Sequence, residues 1–410
     1  MATTTAYDFE LGARSRPPIS ARQSTLRESN LALVCRTVLA APEPLSRADV
    51  AARTSLTRST VSRLVDDLVA GEVLAELGQS QGKGRGRPAT PLVAGSGLAA
   101  LGLQVNATFL AARVVDLRGR VIAERIHYDD LVASQPAPTL ARLGELSADI
   151  LTELASTVRL VGAGLALPGI VSTRAGRLLL APNLGWADVE PVALADQLGR
   201  AGLTLRIGNE ADLAARTVAE VAPGRSSALR DFLYLSGEIG IGGAAFVDGE
   251  LMPGRHGWAG EIGHVCVDPE GPPCPCGSTG CLEQYAGRRA LLAAAGLPPQ
   301  ASPDTLAEAA RRGERGAHQS VARAADALGV ALAGVVNILD IPAIVLGGDL
   351  GRIADVLAPE LDRQLQRRTL SARWVIPTIQ TAGPDPAPGA TGAALRELSD
   401  LLAHPAAWLA

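Results

Sequence analysis

The residues best suited to chemistry fall in one stretch, Gly260 to Glu283, which holds four of the chain's five cysteines and one of its five histidines. After His264, the thiols of Cys274, Cys276 and Cys281 follow as Cys-x-Cys-x4-Cys. They stand among prolines and glycines, which bend a backbone without needing a core. Three thiolates and one imidazole converging from a tight loop make the donor set of a closed tetrahedral zinc site. The alternative is a disulfide, but Cys-x-Cys pairs bridge poorly and nothing else in the chain looks secreted. Zn2+ is therefore expected at His264, Cys274, Cys276 and Cys281. Glu261 and Glu283 flank the loop, so a structural metal would also position two carboxylates, and that points to a ligand site.

This stretch resembles the signature of the ROK family (repressors, open reading frames and kinases), Gly-Glu-x-Gly-His followed by Cys-x-Cys-Gly-x-x-Gly-Cys-x-Glu. At least eight defined positions agree in one window, and the resemblance extends over roughly residues 24 to 400. It implies a two-lobed, actin-like sugar kinase fold with a sugar site in the cleft. On that basis Asn209 and Glu210 occupy the Asn-Asp positions of the family's kinases, and Glu261, His264 and Glu283 match its sugar-contacting residues. Asn183 and the Pro168-Gly169 turn are expected to face the same ligand. Carboxylates and amides suit a polyol, because they accept from and donate to paired hydroxyls. His264 can serve both sites, one ring nitrogen binding zinc while the other donates to a sugar hydroxyl.

The phosphate machinery reads differently. Kinases of the family open with Asp-x-Gly-x-Thr, whereas this chain has Gln104-Val-Asn-Ala-Thr108, without the Asp or the Gly. An amide does not replace a carboxylate near Mg2+, and Asn106 adds a side chain where backbone should approach phosphate. In the second phosphate loop, Glu238 stands where the family usually has Thr, and a carboxylate there would repel a triphosphate. Glu210 is one methylene longer than the kinase base, which would displace its oxygen by about an ångström, an error that can lower a rate about a hundredfold. Gly347-Gly348 keeps the adenosine-side pattern. Glu210 thus reads as a vestigial base, and no catalytic residue is expected.

The elements that must position these groups are legible in outline. Strand patterns at 99–105, 109–116 and 121–127, a helical stretch at 139–158 and a buried strand at 160–167 make a first α/β unit. Strand, tight turn, strand and Asp/Gly turn then recur about 130 residues later, at 232–249. Such a duplication is what two α/β lobes closing on a cleft require. The expected fold class is α/β, an N-terminal winged helix-turn-helix followed by the two-lobed actin-like body, with boundaries at 1–22, 23–93 and 94–410.

The N-terminal segment carries its own chemistry. Residues 11–92 hold twelve Arg or Lys against seven Asp or Glu, an excess of five positive charges on a chain whose net charge is −4. A basic module on an acidic body suggests that one end meets a polyanion. Residues 1–22 are polar and aperiodic and read as a disordered leader. Leu31, Val34, Cys35 and Val38 form a helical stripe. Ser46-Arg-Ala-Asp49 resembles a capping box, and a third helix opens at Thr57 with Val61, Leu64, Val65 and Leu68 on its apolar face. The three-residue link 54–56 has helix-turn-helix length. The third helix would present Arg58, Ser59, Thr60, Ser62 and Arg63 to the major groove. A hairpin between 72–77 and 89–93 would carry Lys83, Arg85 and Arg87, spaced by single glycines, as a wing for a narrow minor groove.

No basic region followed by an apolar run marks a secretory signal, and no apolar stretch of membrane length free of charges or turn residues is expected. A cytoplasmic location follows from the cysteine usage. The favoured reading is a sugar-responsive transcriptional regulator of the family's regulator branch, a repressor bound to operator DNA as a homo-oligomer (dimer or tetramer). Its effector would be a sugar or sugar phosphate. The alternatives are an ATP-dependent sugar kinase carrying a DNA-binding domain, or a body that binds a protein partner.

Overall fold

The structure, a computed structural model, describes residues 23–78 and 90–409 of the 410-residue chain. The expected leader and the basic wing tip with Lys83, Arg85 and Arg87 lie outside the described residues.

The N-terminal domain comprises α1 (Gln23–Ala40), β1 (Leu45–Ser46), α2 (Arg47–Thr54), α3 (Arg58–Ala70), β2 (Leu74–Glu76) and β3 (Pro91–Ala94). The capping box forms: Asp49 N donates to Ser46 Oγ at 3.2 Å, and Ser46 N donates to the Asp49 carboxylate at 2.9 Å. Thr57 Oγ1 caps α3 by accepting from Thr60 N at 3.1 Å. The apolar stripes of α1 and α3 are buried as their spacing required. The wing sheet has three strands in the order β1-β3-β2. β1 escapes a pattern search because it is two residues long.

The first lobe begins with β4 (Leu98–Val105), β5 (Phe109–Asp116), β6 (Val121–Tyr128), α4 (Pro136–Glu153) and β7 (Arg159–Leu167). It continues with β8 (Ile170–Ser172), β9 (Arg177–Ala181), β10 (Trp186–Val189), α5 (Val192–Arg200), β11 (Leu205–Asn209), α6 (Glu210–Ala219), β12 (Glu220–Ala222) and β13 (Arg225–Ser226). The second lobe contains β14 (Phe232–Gly237), β15 (Ile241–Val247), β16 (Glu250–Leu251), α7 (Glu283–Ala286), α8 (Arg288–Ala295), α9 (Pro303–Arg311) and α10 (Arg315–Leu339). After these come β17 (Ala343–Gly347), α11 (Gly348–Arg352), α12 (Ala354–Arg368), β18 (Thr378–Thr381) and α13 (Pro388–Ala403).

The two main sheets run β6-β5-β4-β7-β11 and β16-β15-β14-β17-β18, each with an antiparallel hairpin half and a parallel half. This is the internal repeat expected from the recurring hairpin pattern. Between the sheets lies α6, whose alanines allow close approach on both sides. Ala214, Ala215 and Ala219 pack on Phe232, Tyr234 and Phe246 of the second lobe, while Leu213 packs on Ala166 and Ala393. Helix α10 is long and apolar enough to cross a membrane, but it forms the spine of the second-lobe core against α8 and α12.

Helix α13 returns from the second lobe to the first, lying on β4, β7 and α6. Its C-terminal half joins another core. Leu395, Leu398, Leu401 and Leu402 are buried in one cluster with Leu31, Val34 and Val38 of α1 and Leu64, Val65 and Leu68 of α3. The N-terminal domain and the first lobe therefore share hydrophobic contacts. Leu398→Ala, which empties a fully buried site in that cluster, should destabilise both by about 2–5 kcal/mol. Thermal denaturation followed by circular dichroism should show a single lowered transition; a melt in which only the body or only the N-terminal domain shifts would contradict the shared core.

Candidate functional site

The cleft between the lobes is built where β7, β11 and α6 of the first lobe face the β14–β15 turn and the 260–283 loop of the second. Asn183, Asn209, Glu210, Glu261, His264 and Glu283 all line it, as do Pro168 and Gly169. Six polar side chains drawn from positions up to a hundred residues apart thus converge on one concave site, the arrangement small-molecule sites use.

Each is held for a reason. β11 delivers Asn209 to the N-terminus of α6. There its Oδ1 accepts from the backbone N–H of Ala211 (2.8 Å) and Asp212 (3.1 Å), and its Nδ2 donates to Gly169 O at 2.9 Å. Asn209 thereby ties the Pro168-Gly169 turn to the helix start and forms the cleft wall. Glu210 follows directly. Its Oε1 accepts from Gln104 Nε2 (2.6 Å) and Asn106 Nδ2 (2.7 Å), and its Oε2 has no hydrogen-bond partner among the described residues. Burial raises the Glu210 pKa, and the two amide donors pull it back. The amide oxygen of Gln104 accepts from Ala390 N at 2.9 Å, at the start of α13. Asn106 Oδ1 is occupied by Thr108 N at 3.0 Å. Gln104 and Asn106 therefore form a clamp on Glu210.

Glu238, expected as an acid that would repel a triphosphate, has a cation partner. Its carboxylate accepts from Arg288 Nη2 at 2.9 Å, and Arg288 is in turn bonded to Asp349, which follows Gly347-Gly348. Burial pushes both carboxyls up, Asp349 raises Glu238 further, and Arg288 opposes the shift in both. With two acids on one guanidinium, the trio carries no spare positive charge. Sequence reading missed Arg288, Asp349 and the role of Gln104, because their partners lie 50, 61 and 106 positions away.

The 260–283 loop packs on the second-lobe sheet through glycine. A Cβ on Gly263 would meet Ile241 O at 2.1 Å, and one on Gly280 (φ +63°) would meet Asp268 O at 1.6 Å. The loop folds back so that Val267 N donates to Gly280 O and Cys274 N to Ser278 O, both at 2.8 Å. His264, Cys274, Cys276 and Cys281 each offer a donor atom, and all these atoms lie within 4.8 Å of one another. Cys276 Sγ and Cys281 Sγ are 3.7 Å apart, as are Cys274 Sγ and His264 Nδ1. A tetrahedron built on a zinc–sulfur bond of about 2.3 Å has edges of about 3.8 Å, so the four donors fit that ion. They are far too distant for a disulfide, and all are free cysteines. Glu283 joins cage and cleft, with Oε1 3.0 Å from Cys274 Sγ and Oε2 3.4 Å from Asn183 Nδ2. Glu261 has its pKa raised, by burial first and then by Glu283, with His264 opposing.

On the N-terminal domain, Arg58, Ser59 and Arg63 are exposed at the start of α3, and Thr60 and Ser62 are half-buried. Arg47 braces the helix pair: its Nη1 reaches Asp66 at 2.6 Å, while its Nη2 reaches Glu76 of β2 at 2.9 Å. The helix start is thus fixed relative to the wing, with two guanidinium groups left facing outward.

Comparison with known proteins agrees with this arrangement. Residues 34–77 match the IclR helix-turn-helix domain. The xylose repressor of Caldicellulosiruptor bescii is 27% identical over 397 residues, covering 93% of this chain and 98% of that protein. A ROK family transcriptional regulator, homologous to the E. coli MLC protein, has a similar fold, with a TM-score of 0.73 and 23% identity over 92% of this chain and 98% of its own. A ROK family glucokinase from Streptomyces griseus, solved with glucose and AMPPNP, is 26% identical with a TM-score of 0.60, covering 72% of this chain and 98% of its own. With residues 100–397 matching the family's sequence profile, the chain belongs to the ROK family.

Proposed function

We propose that this protein is a sugar-responsive transcriptional repressor whose body descends from a sugar kinase and no longer transfers phosphate. The observation that carries the reading is the Glu210 clamp. The carboxylate where a kinase keeps its base has one oxygen held by two amides, and the residues suited to a polyol stand around it. Phosphoryl transfer needs acids placed to hold Mg2+. Gln104 and Asn106 put amides on that side instead, and Glu238 and Asp349 are both committed to Arg288. The similarity to a xylose repressor over nearly the whole chain, DNA-binding segment included, supports the same reading.

Zn2+ bound by His264, Cys274, Cys276 and Cys281 would supply no redox or acid chemistry; it would brace the loop. His264 then points one ring nitrogen at the cage and keeps the other for a sugar hydroxyl, and Glu261 and Glu283 accept from neighbouring hydroxyls. Glu210 Oε2 is available to a hydroxyl from the opposite wall. The winged helix would place Arg58 and Arg63, with Ser59, Thr60 and Ser62, against operator DNA. The wing residues Lys83, Arg85 and Arg87 would follow the minor groove, and two copies would address a pseudo-palindrome.

Coupling between the two sites has a physical path. Sugar that engages Glu210 bears on Gln104, which holds the first turn of α13 through Ala390 N; the far half of α13 is core to the DNA-binding fold. A sugar shifts the DNA-competent population only by its differential affinity for the two states.

Arg58→Ala and Arg63→Ala should each weaken operator binding by about 1–3 kcal/mol in gel-shift titrations, with sugar affinity by calorimetry unchanged; Glu261→Ala should retain operator binding and lose release by sugar. Purified protein should hold one zinc per chain by metal analysis. Cys276→Ser should lower the melting temperature and abolish sugar binding. Gln104→Ala should bind both DNA and sugar with the linkage between them gone, at a stability cost of about 1–3 kcal/mol for the donors and acceptors it leaves unpaired. A coupled ATPase assay over hexoses, pentoses and amino sugars should show no sugar-stimulated turnover, and clear turnover would replace this reading with that of a DNA-tethered kinase.

A further inference from the structure

A second cleft, of about 550 Å³, opens on the other side of Asn209 from the cleft described above, and the two share that residue as a wall. Its sides come from both lobes, with Thr173, Glu190, Val192, Asp212 and Arg216 from the first and Pro253 from the second. Asp212 is its most unusual group. Its backbone N–H caps on Asn209, but its carboxylate has neither a hydrogen bond nor an ion pair among the described residues. Burial, and after it the charge of Glu261, push its pKa up to about 7 against the opposing charge of Arg216. Glu261 lines the first cleft, so the two acids sense each other across the shared wall.

Each cation of the second cleft already faces an acid, and the one unpaired guanidinium nitrogen, Arg206 Nη2, is buried out of reach of the cleft. Arg206 is bonded to Glu397 and Asp400, Arg216 to Glu220, and Arg396 to Glu397 and to the carbonyls of Arg206 and Ile207. An anionic substituent would have to lie beside Asp212 and Glu190 with no free guanidinium to neutralise it. A neutral hydroxyl-bearing group meets the site better: Asp212 lacks a donor, Thr173 and Glu190 offer further polar atoms, and Val192 and Pro253 offer apolar faces for a sugar ring. We infer that the second cleft is a subsite for a second sugar unit, so that the effector is a neutral disaccharide or longer glycan spanning Asn209. This rests on the sugar-binding reading of the first cleft.

Calorimetry on the full-length, zinc-loaded protein with matched pairs (xylose and xylobiose, glucose and cellobiose or maltose, N-acetylglucosamine and its β-1,4 dimer) tests it. One disaccharide should bind at least about tenfold tighter than its own monosaccharide, a difference of about 1.4 kcal/mol. Asp212→Ala should reduce that disaccharide to the affinity of the monosaccharide. Val192→Trp, at an exposed helix start, should obstruct the cleft with the same result and leave monosaccharide binding as it was; it decides the matter if the Asp212 variant does not fold. A monosaccharide that binds as well as every disaccharide, or a preference that survives Val192→Trp, overturns the subsite alone. A monosaccharide phosphate that binds tighter than any disaccharide and loses its gain in Arg216→Ala also overturns it, in favour of an anion site. If neither monosaccharides nor disaccharides bind, the sugar-responsive reading itself falls and the subsite with it.

Discussion

One half-buried carboxylate, Glu210, sets the constraint on which the body depends. It stands at the first residue of α6, the helix pressed between both sheets, and two amides from β4 and its following turn hold it there. An ionisable group drawn out of water is costly without donors, so the two amides satisfy one oxygen and leave the other to the cleft. Because Gln104 spends its other end on the backbone of α13, one side chain joins the first-lobe sheet, the interlobe helix and the helix that completes the N-terminal domain. Changing any of these elements changes the seating of the other two.

The remaining chemistry is arranged around that point in two layers. On one side are the groups that fit a polyol, fixed by the glycine-rich loop whose cysteines and histidine have the spacing of a tetrahedral metal. On the other are charged groups that bond to one another. The trio of Glu238, Arg288 and Asp349 ties the β14–β15 turn to the starts of α8 and α11. Its charges are spent on internal cross-bracing of the second lobe.

Much of this was legible in the order of residues. The metal loop was, because cysteine is rare in the chain and its four donors lie within eighteen positions. The duplicated sheets were, because each repeats the same hairpin texture, and the capping box at Ser46 was, because it is local. Gln104 and Glu238 were legible only as losses, the absence of an Asp and the presence of an unwelcome acid. What each gained in exchange is a contact with a residue far along the chain, and no periodicity encodes that. β1 was too short to carry a pattern. Asp212 was passed over because an acid near a helix start is ordinary; only its lack of any partner within a cleft distinguishes it.

The packing of α13 against α1 and α3 has a consequence for the order of synthesis. A wall of the N-terminal domain is supplied by residues 394–402, nearly three hundred positions after the last strand of that domain. The helices that read DNA emerge from the ribosome long before the leucines that finish their core. A nascent or shortened chain lacking those leucines would carry every residue needed to touch an operator yet would have no completed scaffold on which to aim them. Competence to bind DNA is thereby deferred until the sensor is also present.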